Sequence, residues 1–133
     1  MNRQMHLNLF IQSRGHHEAA WRHPKSSKLP LTDIQYSVEM TQKAEAGLFD
    51  SVFFADVLGL WNDVQTTPFN WLEPLTTLAA LAMVTKRIGL IATASTTYTE
   101  PYNLARQFSS LDQAGGPPWV TGTSDEVVSA CTN

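Results

Sequence analysis

The chain has 133 residues, about one domain's worth by length, and carries Lys+Arg 9 against Asp+Glu 12. Its basic residues are scattered along the sequence, which excludes the charge stripe of a nucleic-acid-binding surface. No window approaches the ~18 apolar residues of a membrane span, and the opening MNRQMHLNLFIQSRGHH is too broken by polar residues to be the core of a signal peptide. The one cysteine, Cys131, cannot close an internal disulfide, so the chain reads as cytoplasmic, with neither a nucleic-acid nor a membrane partner.

In chain order, Met5 to Gln12 is apolar enough for a first strand, and the following stretch, broken by Gly15, Pro24 and Pro30, reads as a long loop. Loops of that length inside a compact domain are usually functional or disordered. Thr32 and Gln35 have capping-box spacing, and Ile34, Val38, Ala44 and Leu48 supply an apolar side, which predicts a helix over 32–46. DSVFFADV is nearly continuously apolar, the pattern of a strand covered on both faces, and it ends at Asp56. A second polar loop carries Trp61, Pro68 and Trp71 before Glu73 and Pro74 announce the next helix, since Pro at the first helical position forfeits no intrahelical bond.

RIGLIATAS is the third strand. Pro101 opens a third helix, with Leu104, Phe108 and Leu111 on one face and Gly115 placed to end it. The strand–loop–helix unit thus recurs three times at roughly 40-residue intervals, implying a parallel sheet with right-handed crossovers. An open doubly wound sheet and part of a (β/α)8 barrel both fit. The barrel is preferred because the long loops all follow strands, the returns AGLFDS and TKRIG are short, and G-x-G-x-x-G is absent from the first crossover.

Candidate chemistry gathers at the carboxyl ends of the strands, where α/β folds bind ligands. Thr93, Ser95, Thr96, Thr97, Tyr98 and Thr99 form a hydroxyl cluster after the third strand. These groups could donate to a carbonyl-rich heterocycle or a phosphate, although Thr is also a good strand former and Ser or Thr an ordinary cap. Asp56 closes an apolar strand, where a carboxylate needs a donor. Phe10 and Phe54 could wall a flat ring or serve as plain core. His16, His17, Glu18 and His23 are the one concentration of titratable groups. They lack metal-ligand spacing, so no metal site is expected. His16, nearest the strand end, is the candidate acid/base residue, able to donate a proton to a developing oxyanion.

The segments MHLNLFIQSRGHHEAAWRHP, KAEAGLFDSVFFAD, EPLTTLAALA and RIGLIATASTTYTEPYNLARQFSSLD, in this order, resemble the amino-terminal part of the bacterial-luciferase-like flavin monooxygenases. The resemblance is to the branch with nitrilotriacetate, dibenzothiophene-sulfone and long-chain-alkane monooxygenases, and it covers about residues 5–113. It implies an α/β fold, the amino-terminal portion of a TIM barrel with three to four βα units, that takes FMN as FMNH2 from a separate NAD(P)H-dependent flavin reductase. O2 and a small organic substrate would be the other reactants. By the same resemblance Thr93, Ala94 and Ser95 lie against the isoalloxazine ring, Asp56 approaches its pyrimidine edge, and His16 and Phe10 stand on the substrate side.

The tail 114–133 departs from the family. Where the relatives have an Arg-containing turn and a Gly-Trp-Asn strand, this chain reads QAGGPPWVTGTSDEVVSACTN. Pro117 and Pro118 cannot donate to a sheet ladder, so a shortened or absent fourth strand is expected. A full barrel needs about 250 residues, which makes a truncated form the expectation, with a complementary chain or a homo-oligomer supplying what is lacking. A nonenzymatic or flavin-binding remnant and a small α/β ligand-binding domain are the alternatives.

Overall fold

The computed structural model describes residues 4–56, 71–115 and 122–123. The expectations placed on Trp61, Pro68, Pro117, Pro118 and Cys131 lie outside them. Strand β1 (Asn8–Phe10) is followed by helix α1 (Ile34–Ala46), β2 (Ser51–Phe54), α2 (Pro74–Ala82), β3 (Gly89–Ala94), α3 (Pro101–Gly115) and β4 (Gly122–Thr123). The four strands form one sheet in the order β1-β2-β3-β4, and every neighbouring pair is parallel. A doubly wound sheet reverses its strand order at a switch point. Here the order follows the sequence without reversal, as in the arc of a (β/α)8 barrel. Among the described residues β4 comprises Gly122 and Thr123, in register with Thr93 and Ala94.

Side chains on a strand alternate between faces, and residues paired in register share one. The row Leu9, Val52, Leu90 is turned toward the helices, as are Phe54 and Ala92. There they pack with Ala44 of α1 and with Leu78, Leu81 and Ala82 of α2, and Leu111 of α3 adds to the cluster. Val52, Leu78, Leu81 and Leu90 are completely buried. With all three helices on one side, the intervening row Phe10, Phe53, Ile91 faces the other, and its members are only half-buried.

Two helix starts follow the sequence reading. Pro74 is the first residue of α2, and Glu73 before it accepts from the N–H groups of Leu75 (2.8 Å) and Thr76 (2.7 Å). Pro101 begins α3, with the Glu100 carboxylate accepting from Asn103 N–H at 3.0 Å. Carboxylates there neutralise N–H groups that the helix leaves unpaired. Helix α1 corrects the expected cap: Asp33, not Thr32, caps it by accepting from Gln35 N–H at 2.9 Å.

The end of α1 differs as well. Leu48 was expected on the apolar side, yet it is 76% exposed with φ of 60°. The hydrogen bonds Phe49 N–H to Ala44 C=O and Leu48 N–H to Glu45 C=O close the helix with a Schellman turn. That turn places Leu48 in the left-handed position usually taken by glycine, while the actual glycine, Gly47, stands one residue earlier at φ of −79°. Phe49, the next residue, packs against the core instead.

Two carboxylates lock the amino-terminal edge of the sheet. Glu45 Oε1 accepts from three consecutive N–H groups leading into β3, those of Lys86 (2.8 Å), Arg87 (2.6 Å) and Ile88 (3.2 Å). Partial burial pushes the Glu45 pKa up, but the three backbone donors together with the Arg87 charge outweigh it and hold the group below its usual range. Asp50 accepts from Leu7 N–H at 2.7 Å and meets His6 at 3.2 Å, and its C=O receives Gly89 N–H, so it touches both neighbours of β2. The bond from Leu7, with His6 second, lowers its pKa too.

Two predictions follow from these ends. Glu45→Ala should cost about 1–3 kcal/mol in urea denaturation at neutral pH, and Glu45→Gln less. Since the folded pKa is depressed, the contribution is present above about pH 4.3, the usual Glu value, and fades as pH falls through the lower folded value. The stability curve of Glu45→Gln should therefore be flatter in acid than that of the parent chain. Leu48→Gly should raise stability by about 1 kcal/mol, because it relieves a left-handed residue that buries little.

Candidate functional site

The site lies at the carboxyl edge of the sheet. Beyond β1 the pairing continues one step, with Ile11 N–H donating to Phe53 C=O at 2.9 Å, and the chain then turns sharply. Gly15 N–H donates to Gln12 C=O, Ser13 has φ of 50° and Gly15 φ of 134°, a conformation that side chains rarely adopt. A Cβ on Gly15 would also come within 3.0 Å of Ala20 Cβ. The Tyr36 hydroxyl of α1 pins this turn by donating to Ser13 C=O at 2.7 Å, and burial pushes its pKa up.

The turn brings His16 back over the strand end. Its ring meets Phe10 edge-on at a centroid distance of 5.0 Å, and Phe10 in turn lies 5.0 Å from Phe53. His16 Nε2 is 3.3 Å from Phe10 C=O. A carbonyl can only accept, so Nε2 carries the proton there. His17 diverges to the opposite side of the loop, where it lines a separate recess with His23. Among the described residues no group of three His, Cys, Asp or Glu side chains could hold a metal ion.

Phe10, Phe53, Ile91 and Thr93 therefore form a continuous strip on the face away from the helices, apolar along its length and hydroxyl-bearing at its end. Phe54 is not on that strip. It is buried in the helix-side cluster, though it shares with Phe10, Trp71 and Leu72 the walls of a cavity of about 230 Å³ above the ends of β1 and β2. Phe53, adjacent in sequence, is the residue that neighbours Phe10. Only the strand register tells the two apart, and the sequence did not supply it.

Thr93 and Ala94 are half-buried at the end of β3, and Asp56 is half-buried two residues beyond β2. Ser95 is 3% exposed and turned into its own loop. Its Oγ accepts from the N–H groups of Thr97 (3.2 Å) and Tyr98 (3.4 Å), and its C=O receives Thr99 N–H at 3.2 Å. This hydroxyl organises the turn into α3, whereas Thr93 stands in register with Gly122 on the open strip.

The family profile for luciferase-like monooxygenase matches residues 5–117. The chain belongs to this family. Among its luciferase-like relatives, N-acetyl-S-(2-succino)cysteine monooxygenase of Bacillus subtilis is 43% identical over 92% of this chain. Nitrilotriacetate monooxygenase component A of Aminobacter aminovorans is 41% identical over 97% of it. The chain spans only 28% and 32% of those two proteins. Among solved structures of similar fold, a long-chain alkane monooxygenase superposes with a TM-score of 0.75 at 34% identity, over 92% of this chain and 31% of that one. A riboflavin lyase crystallised with modified FMN and riboflavin gives 0.77 at 25% identity, over 93% and 30%.

The different settings of the two hydroxyls have a measurable consequence. Ser95→Ala should cost about 1 kcal/mol by loss of its cap, while Thr93→Val should stay within about 0.5 kcal/mol of the parent chain. Equal losses in chemical denaturation would contradict this division.

Proposed function

We propose that the chain forms the flavin-facing first part of a two-component monooxygenase that oxygenates a small organic substrate with O2. The observation carrying this reading is the strip Phe10–Phe53–Ile91–Thr93, which lies at the carboxyl edge of a barrel arc in a luciferase-like chain, with His16 at its rim. Its chemistry suits an isoalloxazine ring: apolar side chains for the flat face, and a hydroxyl at the end for the polar edge. Ala94 follows Thr93 at the end of β3 and would meet that edge through its backbone. Thr93 and Ala94 would hold FMN, Asp56 would approach its pyrimidine edge, and Ser95 would fix the turn that carries them. Phe10 and Phe54 would border the substrate.

When bound as FMNH2, the cofactor supplies the electrons with which O2 is activated. The chain's own part is to exclude water with the Phe10, Phe53 and Ile91 side chains and to keep a proton at His16 Nε2 near the substrate side. A separate NAD(P)H-dependent flavin reductase would deliver the reduced flavin, as the "component A" in the name of the nitrilotriacetate relative supports for that protein. NAD(P)H dependence makes the cytoplasm the expected compartment. No helix among the described residues is long and apolar enough to cross a membrane.

Anaerobic titration of the 133-residue chain with reduced FMN should give saturable micromolar binding that Thr93→Val weakens. The absence of binding by a folded chain would overturn the strip as a flavin surface. In a full-length barrel made by joining this chain to the remainder of the nitrilotriacetate relative, His16→Ala should lower monooxygenation by about 10²-fold, the low end for a lost general acid, with flavin affinity nearly unchanged. Equal loss of both would defeat the proton-donor role.

A further inference from the structure

A large recess among the described residues lies away from the flavin strip. A cavity of about 850 Å³ opens between the β1–α1 loop and the outer side of α1, beyond the Gln12–Gly15 turn from His16. Arg14, Arg22, Lys25 and Lys43 line it, with Glu39 as its one carboxylate. A chain whose formal net charge is −3 thus commits four of its 9 Lys and Arg residues to one cavity.

The histidines there are set to donate. Ala19 N–H donates to His17 Nδ1 at 3.0 Å, and Lys25 N–H donates to His23 Nδ1 at 3.2 Å. With each Nδ1 lone pair committed, the ring proton resides on Nε2. Both rings therefore offer an N–H in place of a second acceptor. Arg14 is anchored by its Nη2 donating to Leu29 C=O at 2.8 Å, while its Nε is buried with no hydrogen-bond partner among the described residues. Arg22 is held over the Trp21 ring, 4.8 Å from the centroid. Four cationic side chains and two imidazole N–H groups around one carboxylate are complementary to a ligand that is rich in acceptor oxygens.

We propose that this recess binds a small organic polyanion carrying two or three carboxylates. The spread of the donors selects that class over a compact anion. Arg22 and Lys25 on the loop and Lys43 on α1 border a volume far larger than a single phosphate fills, whereas separated carboxylates can reach donors on both walls. The site is distinct from the flavin strip and does not rest on the monooxygenase reading.

Calorimetric titration of the 133-residue chain with citrate, in low-salt buffer, tests it. One-site submillimolar binding is expected, about tenfold or more tighter than that of inorganic phosphate, and weakened by added sodium chloride. The exposed-residue double variant Arg22→Gln/Lys25→Gln should weaken citrate about tenfold or more. Lys43→Gln on the opposite wall should weaken it too and keeps the test open if the loop variant misfolds by circular dichroism. Arg106→Gln, on α3 and outside the lining of this recess, should leave it unchanged. No saturable citrate binding, binding indifferent to both sets of variants, or phosphate bound as tightly as citrate would each overturn the proposal.

Discussion

The packing of Leu78 and Leu81 of α2 against Leu90 and Ala92 of β3 is the contact on which the rest depends. All four are essentially removed from water, and burying a leucine contributes about 1.5–3 kcal/mol. Because strand side chains alternate, committing Leu90 and Ala92 to the helices commits Ile91 and Thr93 to the other face. Parallel pairing carries the same decision across to β2 and β1. One apolar contact therefore settles which residues can meet a ligand, without any of them touching it.

The two edges of the sheet divide their work. At the amino-terminal edge, Glu45 and Asp50 use carboxylates as connectors between backbone segments, and their chemistry is spent on cohesion. At the carboxyl edge the chain uses turns with unusual backbone angles, and the side chains stand at half-burial. Barrel enzymes separate stability from chemistry along this axis. In this chain the separation is visible in the hydrogen-bond partners themselves.

How far the sequence could be read follows from the range of each signal. Pro74 and Pro101 act locally, through a missing N–H, and both helix starts stood where they pointed. The three βα units and the barrel arc were legible from spacing and from the asymmetry of loop lengths. Asp33 displaced Thr32 because adjacent residues can both cap, and only backbone geometry chooses. Phe53 and Phe54 are indistinguishable until register is known. His16 and His17 part company because the Gln12–Gly15 turn sends successive side chains to different sides of one loop. The four cations of the outer recess looked scattered because Lys43 reaches it from a helix, far along the chain from Arg14, Arg22 and Lys25.

Glu45 and Asp50 also bear on how the chain reaches this structure. Leu7 and Asp50 are 43 residues apart, and Glu45 and Lys86 are 41 apart. Each strand likewise finds its partner only after an intervening helix, so there is no hairpin among the described strands to form early and serve as a template. Loop-closure entropy must be met before any pairing returns energy. The helices can flicker into being on their own, but the sheet has to arrive nearly all at once. Both carboxylates join segments that meet only at that moment, so neither contact can help the chain before the long-range pairing it secures has formed.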